Sequence, residues 1–354
     1  MSVKSFNLNR EFAMQALPII KQLFRSLLLL SILSASVAQA AEKRDLIIDT
    51  DPGADDVVAL LLALASPEEL NVLGITTVAG NVRLDKTSRN ARLAREWAGR
   101  EEVPVYAGAS KPLVRTPIYA ENVHGQEGLP GVPVHEPKQG LAQGNAVQYL
   151  IDTLRKAKPH SITIAMLGPQ TNLALALVQD PEITQGIKEV VVMGGAHFNG
   201  GNITPVAEFN LFADPHAAQV VLASGVKLTY LPLDVTHKIL TSEQRLAQIA
   251  ALNNQAGKLV GSILNEYVKL DMTHYGLPGG PVHDASVIAW LLKPELFSGR
   301  QINVAVDSRE GIGFGQTVAD WYDTLGRDKN VFWVESGDAQ GFFDLLTSRL
   351  SRLK

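Results

Sequence analysis

A hydrophobic strand that runs straight into four carboxylates constrains this chain more than any other feature. Leu46-Ile47-Ile48 reads as a buried strand, and Asp49-Thr50-Asp51-Pro52-Gly53-Ala54-Asp55-Asp56 follows it without a break. Asp49 and Asp51 lie two apart in extended chain and share a face. Pro52-Gly53 supplies a tight turn, proline presetting φ and glycine tolerating positive φ. Asp55 and Asp56 then fall at the start of a helix, where the dipole favours anions. A helix cap accounts for one or two such acids but not for four, because each close pair repels by about 4 kcal/mol at 4 Å and an effective dielectric near 20. A hard divalent cation removes that repulsion, and oxygen-only ligands select Ca²⁺ or Mg²⁺ over zinc.

Two familiar acidic motifs fit poorly. Counted from Asp49, an EF-hand loop needs Gly sixth and Glu twelfth, where this chain has Ala54 and Leu60. An aspartyl phosphatase of the haloacid dehalogenase type also begins strand-Asp-x-Asp, but the later Lys and acidic pair it needs are not convincing here. Downstream, short β-rich runs (residues 73–78, 161–167, 190–193, 228–231, 303–306 and 331–334) alternate with helical patterns (55–65, 87–98 and 342–353). That alternation predicts a single Rossmann-like α/β domain with a largely parallel central sheet flanked by helices. The 46% hydrophobic content is enough for a large core, and no repeat or linker divides residues 41–354. Residues 116–143, rich in Gly, Pro and His, read as an active-site loop or a surface excursion. Ligands in such sheets sit outside the carboxyl ends of the strands, so polar residues that follow strands are the ones to inspect.

Those residues resemble the inosine-uridine-preferring nucleoside hydrolase family. Residues 49–56 match its Asp-x-Asp-Pro-Gly-x-Asp-Asp signature. Thr76-Thr77-Val78-Ala79-Gly80-Asn81, His124-Gly125, Leu167-Gly168-Pro169-Gln170-Thr171-Asn172, Gly201-Asn202, Ala207-Glu208-Phe209-Asn210 and Val282-His283-Asp284 follow in family order. The resemblance implies hydrolysis of the N-glycosidic bond of ribonucleosides to ribose and base. It implies a Ca²⁺ held by Asp51, Asp56, Asp284 and the backbone carbonyl of Leu167, with Asp49 ordering the loop behind them. The family usually has threonine at the carbonyl position, and a main-chain ligand tolerates leucine.

Cleaving a ribosyl C–N bond builds positive charge on the sugar and negative charge on the base. The site must therefore supply an activated water, stabilise an oxocarbenium-like ribose and assist departure. Asp51 is the candidate base for a water acidified by the cation. Asp55, Asn81, Asn202, Glu208 and Asn210 are expected at the substrate, the last two pointing the same way if residues 207–210 are extended. His124 is expected to contact nucleoside, and His283 to face the base, protonating it in some family members, while Asp284 faces the metal. Its charge state stays open, since carboxylates raise and a helix N-terminus lowers its pKa. His135, His160, His197, His216 and His237 read as structural or surface residues. Purine-specific relatives stack the base between tryptophans, whereas Trp97, Trp290, Trp321 and Trp333 lie outside the expected base loops. A preference for pyrimidine nucleosides or inosine follows, with Tyr275 a candidate donor to the base.

The N-terminus reads as an address. Basic residues ending at Arg25 lead into an apolar run over residues 27–33 and then Ala38-Gln39-Ala40, the order of a secretory signal peptide cleaved after Ala40. The true start is Met1 or Met14. Residues 1–40 are thus expected to be removed, leaving a periplasmic or secreted catalytic domain over 41–354 without a membrane anchor. The formal net charge of −4 becomes more negative once this basic leader is set aside, which argues against nucleic acid as partner. The expected partner is a small ribonucleoside, in a homo-oligomer that the resemblance suggests is a dimer or tetramer. A periplasmic nucleoside-binding protein without turnover is the alternative, disfavoured by the presence of both Asp51 and His283.

Overall fold

The computed structural model describes residues 43–354, the side chains of Leu270, Asp271, His274 and Tyr275 excepted. The proposed leader and its cleavage site, and the Tyr275 side chain, lie outside the described residues. Six strands run parallel: β1 (Arg44–Thr50), β2 (Leu70–Thr77), β3 (Val105–Ala107), β4 (Ile162–Met166), β5 (Ile187–Met193) and β6 (Leu228–Leu231). A separate antiparallel pair, β7 (Leu240–Thr241) with β8 (Gly280–Pro281), follows. β9 (Phe297–Val306), β10 (Thr317–Asp320) and β11 (Val331–Gly337) finish the main sheet, whose order is β10-β9-β11-β6-β5-β4-β1-β2-β3. β11 lies parallel to β6, and β9 runs antiparallel to both β11 and β10.

This order places a topological switch at β1. The chain builds outward through β2 and β3, then returns to the other side of β1 with β4. A crevice opens at such a point beyond the carboxyl ends of the strands, and the acidic turn leaves β1 there. Period-two alternation divides the core between two faces. Leu46 and Ile48 join one buried cluster and Ile47 the other. The helix after β1, Ala54–Leu64, is buried along its whole length, wedged against helices Leu84–Trp97, Gln255–Tyr275 and Ala285–Leu292. Its side chains have no solvent face, so each of its leucines and valines contributes about 1.5–3 kcal/mol of burial. That packing fixes the N-terminus of the helix, and with it Asp55 and Asp56.

Candidate active site

The acidic turn is held by its own backbone. Asp56 accepts from Thr50 Oγ1 at 2.5 Å and from the Gly53 amide at 3.0 Å, tying the strand end to the first helical turn. Asn81, in the loop that follows β2, donates through Nδ2 to Asp56 at 2.8 Å and to the Asp51 carbonyl at 3.2 Å. Its amide donates to Asp51 Oδ2 at 2.7 Å. Two glycines leave the space that the Asp51 carboxylate occupies: a Cβ on Gly80 would lie 2.0 Å from its Oδ2, and one on Gly168 2.3 Å from its Oδ1. Asp49 sits behind, accepting from Thr76 Oγ1 at 2.5 Å and Asn172 Nδ2 at 2.8 Å. Asn172 also accepts the Ala109 amide and donates to the Thr77 carbonyl, so it joins three segments behind the turn.

A cavity of about 270 Å³ opens in front of this turn. Asp55, Asn81, Asn202, Glu208 and Asn210 line it, as do His124, the Leu167 backbone, His283 and Asp284. Asn210 Nδ2 donates to the Leu167 carbonyl at 2.7 Å, and Asn202 Oδ1 accepts the Phe209 amide at 2.8 Å. Residues 207–210 are not an extended strand, so strand alternation is not what turns Glu208 and Asn210 the same way. Glu208 is the N-cap of a short helix, Phe209–Ala213, accepting the amides of Asn210 and Leu211. The Glu208 carboxylate satisfies two otherwise unpaired first-turn N–H groups, and the chain is helical from Phe209 on. Both side chains still reach the cavity.

Of residues 116–143, Ala120, Asn122, Val123 and His124 line the cavity, while much of the stretch beyond residue 130 is exposed. A single turn, Glu121–His124, carries His124 inward, where Nδ1 accepts the Ala54 amide at 3.1 Å. The ring stacks on Tyr267 with centroids 5.4 Å apart. Burial holds its pKa down to about 3, so the ring is neutral and its proton sits on Nε2. Tyr267, from helix Gln255–Tyr275, had no motif to announce it. Thr236 likewise escaped notice: its hydroxyl lies 2.8 Å from His283 Nδ1, and its position just past β6 was the available signal. His283 also donates its backbone N–H to Asp55 Oδ2 at 3.2 Å. Burial, then the neighbouring His237 and His124, keep the His283 imidazole well below the usual histidine range and uncharged.

Carboxylates dominate the electrostatics. Burial pushes Asp51 well above the usual range, and Asp56 adds to it. Asp284 is raised in the same way by burial and then by Asp55, Asp56 and Asp51. Asp49 and Glu208 are each pushed up to about 7 by burial, against their hydrogen bonds. Ligand atoms of Asp55, Asp56 and Asp284 lie within 4.8 Å of one another. The sequence placed Asp51 rather than Asp55 in the metal set; Asp51 is outside this closest triad, yet its Oδ1 is buried with no hydrogen-bond partner. Among the described residues no lysine or arginine lines the cavity to balance these acids. The donor set is all oxygen, so the residues present fit a hard divalent cation.

The family model for inosine-uridine preferring nucleoside hydrolases matches residues 46–344, and the chain belongs to that family. It is 42% identical over 306 residues to the pyrimidine-specific ribonucleoside hydrolase RihA of Citrobacter koseri, covering 86% of this chain and 97% of that protein. An uncharacterised protein of Schizosaccharomyces pombe is 46% identical over 308 residues, covering 87% and 99%. Among solved structures, the purine-preferring ribonucleoside hydrolase from Gardnerella vaginalis superposes with a TM-score of 0.81 at 32% identity, covering 87% of this chain and 98% of that one.

Proposed function

We propose that the chain hydrolyses ribonucleosides to ribose and free base with the help of a Ca²⁺ ion, preferring pyrimidine nucleosides or inosine. The partnerless Asp51 Oδ1 among buried, mutually repelling carboxylates carries this reading. Asp51, Asp56, Asp284 and the Leu167 carbonyl would hold the cation. When bound, it supplies Lewis-acid chemistry, acidifying a water and polarising sugar hydroxyls. Asp51, fixed by the Asn81 amide, takes the proton from the attacking water through its open oxygen. Asp55, Asn81, Asn202, Glu208 and Asn210 hold the ribose, and their carboxylates face the positive charge that grows on it. His124 and His283 lie at the base, with His283 assisting its departure.

Two observations support the base preference: a pyrimidine-specific relative is nearer in sequence than the purine-preferring structure, and no tryptophan lines the cavity among the described residues. Ribose release from uridine, cytidine, inosine and guanosine tests both claims. Uridine or inosine should be turned over fastest, with turnover lost on chelation and restored by Ca²⁺. Binding of nucleoside without ribose release from any of the four would sink the hydrolase reading in favour of a binding protein. We further propose export by the basic and apolar leader, tested by sequencing the N-terminus of the mature protein, and a dimer or tetramer, tested by light scattering.

A further inference from the structure

The single helical turn after β6, Leu233–Thr236, is bonded both to the segment before Asn202 and to His283. Asp234 Oδ1 accepts the successive amides of His197, Phe198 and Asn199, the approach to the loop that carries Asn202. Its other oxygen accepts Trp333 Nε1–H at 3.0 Å. Leu233 N–H donates to the Gly195 carbonyl at 2.9 Å, and Thr236 N–H to the Pro232 carbonyl at 3.1 Å. The mount of Thr236 is therefore fixed from several directions. Its fully buried hydroxyl makes one hydrogen bond among the described residues, to His283 Nδ1.

That contact bears on what His283 can do. An imidazole whose Nδ1 carries the proton offers only a lone pair from Nε2, and so cannot donate to a departing base. With Nδ1 accepting, the proton sits on Nε2, the nitrogen left for the cavity. Threonine can act as that donor, because its hydroxyl has one proton and meets no other acceptor among the described residues. We propose that Thr236 is a positioning residue that donates to His283 Nδ1 and so fixes the tautomer in which Nε2–H faces the leaving base. This rests on the reading of His283 as the group beside the base. As the C1′–N bond breaks, its electron pair stays on the base. Nε2–H stabilises that charge by a hydrogen bond, with no proton leaving the ring, as a neutral donor aimed at developing charge does elsewhere.

Thr236→Val keeps the branched shape and removes the hydroxyl, while Thr236→Ser keeps the hydroxyl. With uridine, kcat is expected to fall about tenfold in Thr236→Val, the rate equivalent of one hydrogen bond, with KM nearly unchanged and recovery in Thr236→Ser. Hydrolysis of p-nitrophenyl β-D-ribofuranoside, whose leaving group departs as a stable anion, should fall far less. Nitrogen-15 spectra of the wild-type protein should show His283 Nδ1 unprotonated and Nε2 protonated, a readout that stands even if Thr236→Val does not fold. Equal slowing of both substrates, no slowing of either, or a protonated Nδ1 in the wild type overturns the inference. His283→Ala separates the two claims. If it slows both substrates alike, the reading of His283 falls and this inference with it; if it slows uridine selectively while Thr236→Val does not, only the role of Thr236 is lost.

Discussion

At the scale of single residues, Asp51 is shaped by what is missing around it. Gly80 and Gly168 occur in the runs after β2 and β4 and give its carboxylate room from two sides. Asp51→Asn should leave the fold intact and cut kcat by at least about a hundredfold, as for removal of a general base. Gly168→Ala should do comparable damage, because its Cβ falls 2.3 Å from Asp51 Oδ1 and must displace it. Gly99→Ala is the contrast: at φ +63° with open space around it, it costs stability by backbone strain and spares turnover. Parallel melting curves and ribose assays of these three variants check the argument. The acids and Asn81 were legible because they lie in contiguous runs directly after strands. Tyr267 and Thr236 were not, since each is an ordinary residue made significant by a partner far away in sequence.

At the scale of elements, a long excursion is strapped to a helix. Along Leu84–Trp97, Arg89 donates to the Glu127 carbonyl at 3.1 Å and pairs with its carboxylate at 2.6 Å. Arg92 pairs with Glu136, and Arg95 donates to the Gln139 and Gly140 carbonyls. These arginines stand three apart and so share one face. Between them, buried Asn90 donates to the carbonyls of both Pro52 and Glu127, joining the acidic turn to the loop that carries His124. Asn90→Leu strands the buried Pro52 carbonyl, while Arg89 still serves that of Glu127, and should cost about 1–3 kcal/mol, raise KM and speed amide exchange in residues 120–128. Arg89→Ala, at a half-exposed pair, should cost about 1 kcal/mol or less and show a salt-dependent KM. The strap and the helix Gln255–Tyr275 were both illegible beforehand. In that helix Gly257 and Gly261 look like breakers, yet Gly257 sits against Leu252 and the Ile249 carbonyl, where a side chain would not fit. Close packing of two helices, not a turn, explains it.

At the scale of the whole molecule, the alternation of strands and helices predicted the parallel strands of the sheet except β3, whose three residues are too short to show a pattern. The antiparallel end was not predictable, because β9, β10 and β11 are joined by loops whose pairing no local pattern records. The gathered acids also set the stability of the whole. Asp49 and Glu208 titrate near 7 in the folded chain, above the unfolded values of 3.8 and 4.5. The folded state therefore holds more protons between those limits, and stability present at low pH is lost as pH rises through about 7. In chelator, the melting temperature should fall from pH 5 to pH 8; with Ca²⁺ the fall should shrink, because the cation binds more tightly as its own carboxylate ligands lose their protons. Scanning calorimetry with and without Ca²⁺ decides this, and a Ca²⁺-independent profile would count against the proposed ion. Joining Asp55 to His283 spans 228 positions. A ribosome making this chain has thus released the acidic turn long before the residue that closes it, so the proposed ion would meet its full set of carboxylates only once Asp284 has been made, with about four-fifths of the chain complete.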